Sequence, residues 1–322
     1  HAEIATYSVA VGVSLNGFQF IYAAEQFEYQ APPTVAGASP RVDVLTGGAV
    51  VTVSGASFVN GPGVSCKFGV VAVNASFASA NRVLCTAPAV LATGTVLVTV
   101  SNNGVDYSKS WVQFTYMKLA VVNGVAPLHG PLSGVTRITV TGKNFADTGL
   151  LSCMVNGSLV PATLVSPSAQ TCATPASASA GSVPVRVTLN GQDPTSGTAA
   201  FEYLPDVNVA AVQPASGPDS AATAVAVTGS GFRASAQLAC RFGTALSPAT
   251  FVSATKLTCD TPAMAVSDTA VTVAVHVTTN GADYSATSVS FTFQPTAVVQ
   301  SLAPKFGPSS GGTNVLVTGA NF

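Results

Sequence analysis

Six cysteines are the residues in this chain with the most definite chemistry. They fall as three pairs, Cys66/Cys85, Cys153/Cys172 and Cys240/Cys259, each 19 residues apart. Thiols at such spacing could hold a metal, act as redox centres or close disulfides. A zinc site wants Cys-x-x-Cys or nearby histidines, because four ligands must converge on one tetrahedral ion. There is no Cys-x-x-Cys, and His1, His129 and His276 lie far apart in sequence. One disulfide within each pair is the better account, and such bonds persist in an oxidising, extracellular setting. The competing reading keeps six buried thiols in a reducing compartment. In the loop-entropy description, a crosslink of this span stabilises by roughly 3 kcal/mol.

Other reactive residue types give weaker signals. Asn74-Ala-Ser76 and Asn156-Gly-Ser158 fit the acceptor pattern for N-glycosylation. Both are expected in a loop-rich stretch between or beside the paired cysteines. Covalently attached glycans are the expected non-protein component; no cofactor and no metal are expected. Asp106 and Asp283 recur after an Asn-Gly pair, where a side chain that bonds the local backbone is the simplest role. The remaining carboxylates are scattered, and a calcium site needs several oxygen ligands together. Gly311-Gly312 precedes neither a helix nor Lys-Thr/Ser, so it does not read as a phosphate loop. His276 lies between Val275 and Val277, predicted exposed on the polar face of a strand, and His129 lies in a predicted turn, Pro127 to Pro131. Trp111 is expected on an outer strand face or at a domain junction. No catalytic set assembles from these residues, and the chain is not expected to be an enzyme.

The elements that carry these residues repeat. The Asn-Gly pairs at Asn16, Asn103, Asn190 and Asn280 are spaced by 87, 87 and 90 residues. Cys66, Cys153 and Cys240 keep the 87-residue step, and so do Cys85, Cys172 and Cys259. Gly-x-x-Phe units recur at Gly55/Phe58, Gly142/Phe145, Gly229/Phe232 and Gly319/Phe322. Landmarks in one register mark a repeat array. Before each Asn-Gly runs a period-2 valine alternation, such as Val96, Val98 and Val100, which reads as a strand with one buried face. Asn-Gly then suggests a tight hairpin turn. A returning strand carries Phe27/Tyr29, Phe114/Tyr116, Phe201/Tyr203 and Phe291/Phe293. Units of this size with short alternating strands predict an all-β, immunoglobulin-like β-sandwich. The predicted boundaries are a C-terminal part of one repeat at 1–30, complete repeats at 31–117, 118–204 and 205–294, and an N-terminal part of another at 295–322. Linkers such as Gln30-Ala-Pro-Pro33 are short and contain proline, so neighbours should dock stiffly into a rod.

Composition narrows the function classes. Charged residues make up 8% of the chain, against roughly 25% in an ordinary soluble protein. The net charge is −1 and the lysines are spread singly, which leaves no basic stripe for nucleic acid. No apolar run reaches the ~18 residues of a membrane span, and no secretory leader opens the sequence. The sequence is expected to be a window of a longer array.

Ordered motifs also carry a family resemblance. Pro304-Lys-Phe-Gly-Pro-Ser-Ser-Gly-Gly-Thr313 runs into Val315-Leu-Val-Thr-Gly-Ala-Asn-Phe322; Cys66-Lys-Phe-Gly69 and Cys240-Arg-Phe-Gly243 follow the same pattern. Then come Cys85-Thr-Ala-Pro88, Cys172-Ala-Thr-Pro175 and Cys259-Asp-Thr-Pro262, and Asn-Gly-x-Asp-Tyr-Ser at Asn103 and Asn280. In this order the chain resembles the IPT/TIG domain, the immunoglobulin-like fold shared by plexins and certain transcription factors. The repeat at 118–204 departs, with Cys153-Met-Val-Asn156 and Asp193-Pro194 in place of the motif residues. The resemblance implies receptor stalks, giant cell-surface proteins or accessory modules beside carbohydrate-active enzymes. Its DNA-binding members use basic loops that this sequence lacks.

The functional expectation is a non-catalytic extracellular structural protein, a glycosylated fibre or surface coat. Its expected partners are copies of itself, neighbouring repeats and glycans. The alternatives are a ligand-binding receptor or adhesin stalk and, lesser, an accessory region of a carbohydrate-active enzyme.

Overall fold

Period-2 burial shapes every element. The computed structural model describes residues 6–220, 222–264 and 269–322, and every regular element within them is a strand. His1 lies outside the described residues. Strands β1 (Tyr7–Val13) and β2 (Ile21–Tyr29) form an antiparallel hairpin. The first complete repeat follows with β3 (Thr34–Ser39), β4 (Val42–Val44), β5 (Val50–Ala56), β6 (Ser65–Phe68), β7 (Val71–Ser79), β8 (Arg82–Thr86), β9 (Gly94–Ser101) and β10 (Val112–Met117). Their order across the sheet is β3-β5-β8-β7-β6-β9-β10-β4. Residues 121–204 and 208–294 copy this order strand for strand. Val298–Ala303 and Leu316–Ala320 then pair as β3 and β5 do.

One strand turns the ribbon into a sandwich. The first half of β7 pairs with β6, Ser65 opposite Asn74, and the second half pairs with β8, Ala75 opposite Cys85. The strand therefore belongs to both layers. Val51, Val53, Val83 and Cys85 face inward from one layer, and Cys66, Phe68, Val98, Val100, Phe114 and Tyr116 from the other, all at 2% exposure or less. Burying each of the larger side chains is worth about 1.5–3 kcal/mol. The same-face aromatic pair is edge-on in every complete repeat, with centroids 5.2 Å apart for Phe114–Tyr116, 5.1 Å for Phe201–Tyr203 and 5.0 Å for Phe291–Phe293.

Gly-x-x-Phe has a steric origin. A Cβ on Gly55 would overlap the Thr34 carbonyl oxygen and stand 2.7 Å from Phe58 Cζ. Gly142, Gly229 and Gly319 meet equivalent neighbours. The glycine lets the phenylalanine ring fold back over its own strand and β3.

Several local expectations change. Asn103-Gly104 is not a tight hairpin: ten residues separate β9 from β10. Gly104 has φ +77°, but Asn103 is not among the residues of positive φ, whereas the tight type I′ turn needs both. Asn103 Oδ1 instead accepts from the amides of Val105 (3.0 Å) and Asp106 (2.8 Å). Thus the asparagine side chain, not that of Asp106, organises the backbone. The true two-residue hairpin is Asn156-Gly157, with φ +49° and +81°. The stretch between paired cysteines is a three-strand meander rather than loop-rich, with Asn74 inside β7. His129 lies in a short strand, His129–Pro131, which pairs in parallel with Glu202–Leu204. His276 is half-buried rather than exposed, with Nδ1 3.2 Å from the Ser285 carbonyl oxygen.

Candidate functional site

Cysteines come first because they sit where the layers join. Cys66 lies on β6 and Cys85 on β8, either side of the shared β7, and the two are disulfide-bonded with Cα atoms 6.2 Å apart. Cys153–Cys172 and Cys240–Cys259 repeat the link at 6.4 and 6.3 Å. Asn74 and Asn156 are exposed, the first on β7 and the second in its hairpin turn. Trp111 is half-exposed at the head of β10.

The side chains that converge do so between repeats. Each Asn-Gly-x-Asp loop is held in one shape by its asparagine, whose Oδ1 accepts two loop amides and whose Nδ2 reaches the aspartate. That last bond is 2.9 Å at Asn103–Asp106, and 2.7 Å at both Asn190–Asp193 and Asn280–Asp283. A hydroxyl two residues beyond the aspartate, from Ser108, Thr195 or Ser285, accepts an amide of the preceding strand and fixes the loop to it. The loops at Asn190 and Asn280 then dock on the repeat before them.

At the first seam, Gln192 pairs both amide atoms with the Val50 backbone at 2.9 Å each, and Asn190 Nδ2 lies 3.5 Å from Asp43 Oδ1. Asp43 also accepts from the Val44 amide (2.7 Å) and the Ala49 amide (3.0 Å). Its carboxyl pKa is raised, chiefly because burial disfavours the charge, with the nearby Asp193 carboxylate adding to the effect against these two amide bonds. A cavity of about 10 Å³ sits here.

At the second seam, Asp283 Oδ2 accepts from the Thr136 hydroxyl at 2.7 Å, and Asn280 Nδ2 donates to the His129 carbonyl oxygen at 2.8 Å. The Ser133 amide donates to Asp206 Oδ1 (3.1 Å), and Arg233 meets Glu202 at 2.6 Å on the half-exposed rim. Asn190 and Asn280 are each 4% exposed, whereas Asn103 is exposed.

Seam residues such as Asp43, Gln192, Asp193 and Thr136 carry no local motif. Their signal was the recurrence of Asn-Gly-x-Asp once per junction, and Asn190 meets Asp43 across 147 residues of sequence. Asp193, passed over as a departure from the motif, keeps the role of Asp106 and Asp283. Where that repeat loses the tyrosine, it also loses the cation–π contact that Lys67 makes with Tyr107 and Arg241 with Tyr284. Among the described residues, no three His, Cys, Asp or Glu side chains group as metal ligands.

The chain is similar in sequence to parts of longer known proteins. Human Fibrocystin-L is 27% identical over 320 residues, 98% of this chain but 7% of that protein. Plexin-2 of Caenorhabditis briggsae is 26% identical over 208 residues, 62% of this chain and 12% of that one. The chain thus spans a small part of the relatives it matches. Among solved structures, the plexin A4 full extracellular region covers 86% of this chain and 26% of its own, at 18% identity and a TM-score of 0.47. The IPT/TIG domain itself matches three times in succession, at residues 33–116, 120–203 and 208–293. With most of its length accounted for by those three matches, the chain belongs to the IPT/TIG domain family.

Proposed function

We propose that this chain is a non-catalytic extracellular rod, a length of stalk that holds other parts of a longer protein at a fixed separation and direction. The observation that supports it most is the seam. Each docked loop is rigid before it meets its neighbour, and hydrogen bonds from buried asparagines cross both junctions. Short linkers alone limit bending; a second contact beside the linker limits twisting too. Three disulfides fit an oxidising environment. Glycans on the exposed Asn74 and Asn156 would hydrate the surface of a chain in which only 8% of residues are charged.

That low charge favours a second reading, a fibre or coat in which copies pack side by side. Leu159 and Leu246 recur at one outward position of two successive repeats, 49% and 57% exposed, and near-zero net charge favours association. Secreted material examined by intact mass and by electron microscopy over a concentration series separates the two. The stalk reading expects glycosylated, straight single particles at every concentration. Ordered lateral filaments would replace it with the fibre, and freely jointed beads would remove the rod altogether.

A further inference from the structure

The two seams are built on one plan with different chemistry. Asp43 and Ala49 of the first complete repeat are replaced by Gly130 and Thr136 in the second, by Gly217 and Thr223 in the third, and by Gly307 and Thr313 in the last hairpin. The exchange has a steric reason: a Cβ on Gly130, Gly217 or Gly307 would run into the threonine hydroxyl of the same repeat. A repeat can place either a side chain at the first position or a hydroxyl at the second. The threonine form meets the incoming aspartate with a donor, as Thr136 does for Asp283. The Asp43 form meets it with another acid.

We propose that the first seam is a proton-linked joint, in which Asp43, buried beside Asp193, takes up a proton from solvent as the two repeats dock. Asn190 Nδ2 serves both carboxylates, at 2.7 Å to Asp193 and 3.5 Å to Asp43. Asp43 is 2% exposed. Apart from Asp43, Asn190, Asp193 and Thr195, the cavity lining is apolar and holds no basic residue. The remaining titratable group facing Asp43 is Tyr116, its cross-strand partner on β10, whose phenol is pushed up to about 12 by burial and by the Asp43 charge. Lys118 and Arg41 are exposed and outside the lining. Two adjacent carboxylates with no cation between them cannot both stay ionised cheaply, so docking favours the protonated form of the more buried Asp43.

The sign follows from the raised Asp43 pKa. Docking is favoured by a proton that the open seam does not hold. Its stabilisation is complete below the ordinary carboxylate range and is lost as pH rises through the raised value. Between those limits the opening equilibrium grows by up to about tenfold per pH unit.

Amide exchange on the whole chain, corrected for intrinsic rates, reads both seams at once. The Val50 amide bonds across the first seam and the Ser133 amide across the second. Protection at Val50 should fall between pH 4.5 and 8 while Ser133 holds steady. Asp193→Asn, which leaves both backbone bonds to Asp43 intact, should weaken the fall. The double change Asp43→Gly with Ala49→Thr should abolish it by converting the first seam to the form of the second. Equal pH responses at Val50 and Ser133 would overturn the proposal, as would a fall at Val50 that survives in both variants. Restoration of Val50 protection at pH 8 by calcium alone would also overturn it, replacing the proton with a metal.

Discussion

Tyr116 and Tyr203 occupy one position in successive repeats yet have different surroundings. Tyr203 donates its hydroxyl to the Pro175 carbonyl oxygen at 2.6 Å, whereas the buried Tyr116 hydroxyl has no hydrogen-bond partner among the described residues. The third repeat carries Phe293 there. A net hydrogen bond in a protein interior is worth about 1 kcal/mol, and an unmet buried hydroxyl costs a similar amount. Tyr203→Phe should therefore destabilise its repeat by about 1 kcal/mol, while Tyr116→Phe should leave stability unchanged or raise it. Urea unfolding followed by exchange in each repeat tests the pair. Equal losses at both positions would show that the carbonyl bond does not set the difference. Sequence showed that an aromatic belongs at this position, because alternation marks an inward face. Which phenol would find an acceptor depended on packing between layers and was not legible.

Strands were the most legible elements, since valines at period 2 have one burial solution. What lay between them was less so. Asn-Gly reads as a hairpin turn wherever it occurs, but at Asn103 the asparagine side chain competes for the loop amides and opens a longer connection. The meander between cysteines was missed although Val73, Ala75 and Phe77 alternate along β7, because none of them is fully buried and small or polar residues stand between them. Gly-x-x-Phe, by contrast, was visible as a motif before its cause was. Gly142→Ala would drive a methyl group into the Val121 carbonyl oxygen and the Phe145 ring. Overpacking of this kind costs about 1–3 kcal/mol. Calorimetry should show a lowered unfolding transition for that repeat, and an unchanged melting profile would mean that the ring swings out freely.

For the whole molecule, the contacts that join neighbouring repeats come from residues far apart in sequence, which is why the tandem repeats were legible from spacing while their seams were not. Asp283→Ala would remove the acceptor for Thr136 and for Asn280 at the second seam. Leaving such buried donors unmet costs roughly 1–3 kcal/mol, enough to open a small interface. Small-angle scattering should then give a shorter, broader distribution of dimensions. Arg233→Ala at the same seam should change little, because a half-exposed ion pair is weak. Matching profiles for the two variants would count against the clamp. The disulfide that brackets β7 has a different consequence under tension. A pull along the chain enters each repeat through β3 and leaves through β10, and the covalent bridge carries it from β6 directly to β8. The 19 residues of the bridged segment never straighten. At ~3.4 Å per residue, a repeat torn open by force releases roughly 60 Å less slack than its length allows, so an overstretched chain would yield in short, bounded steps.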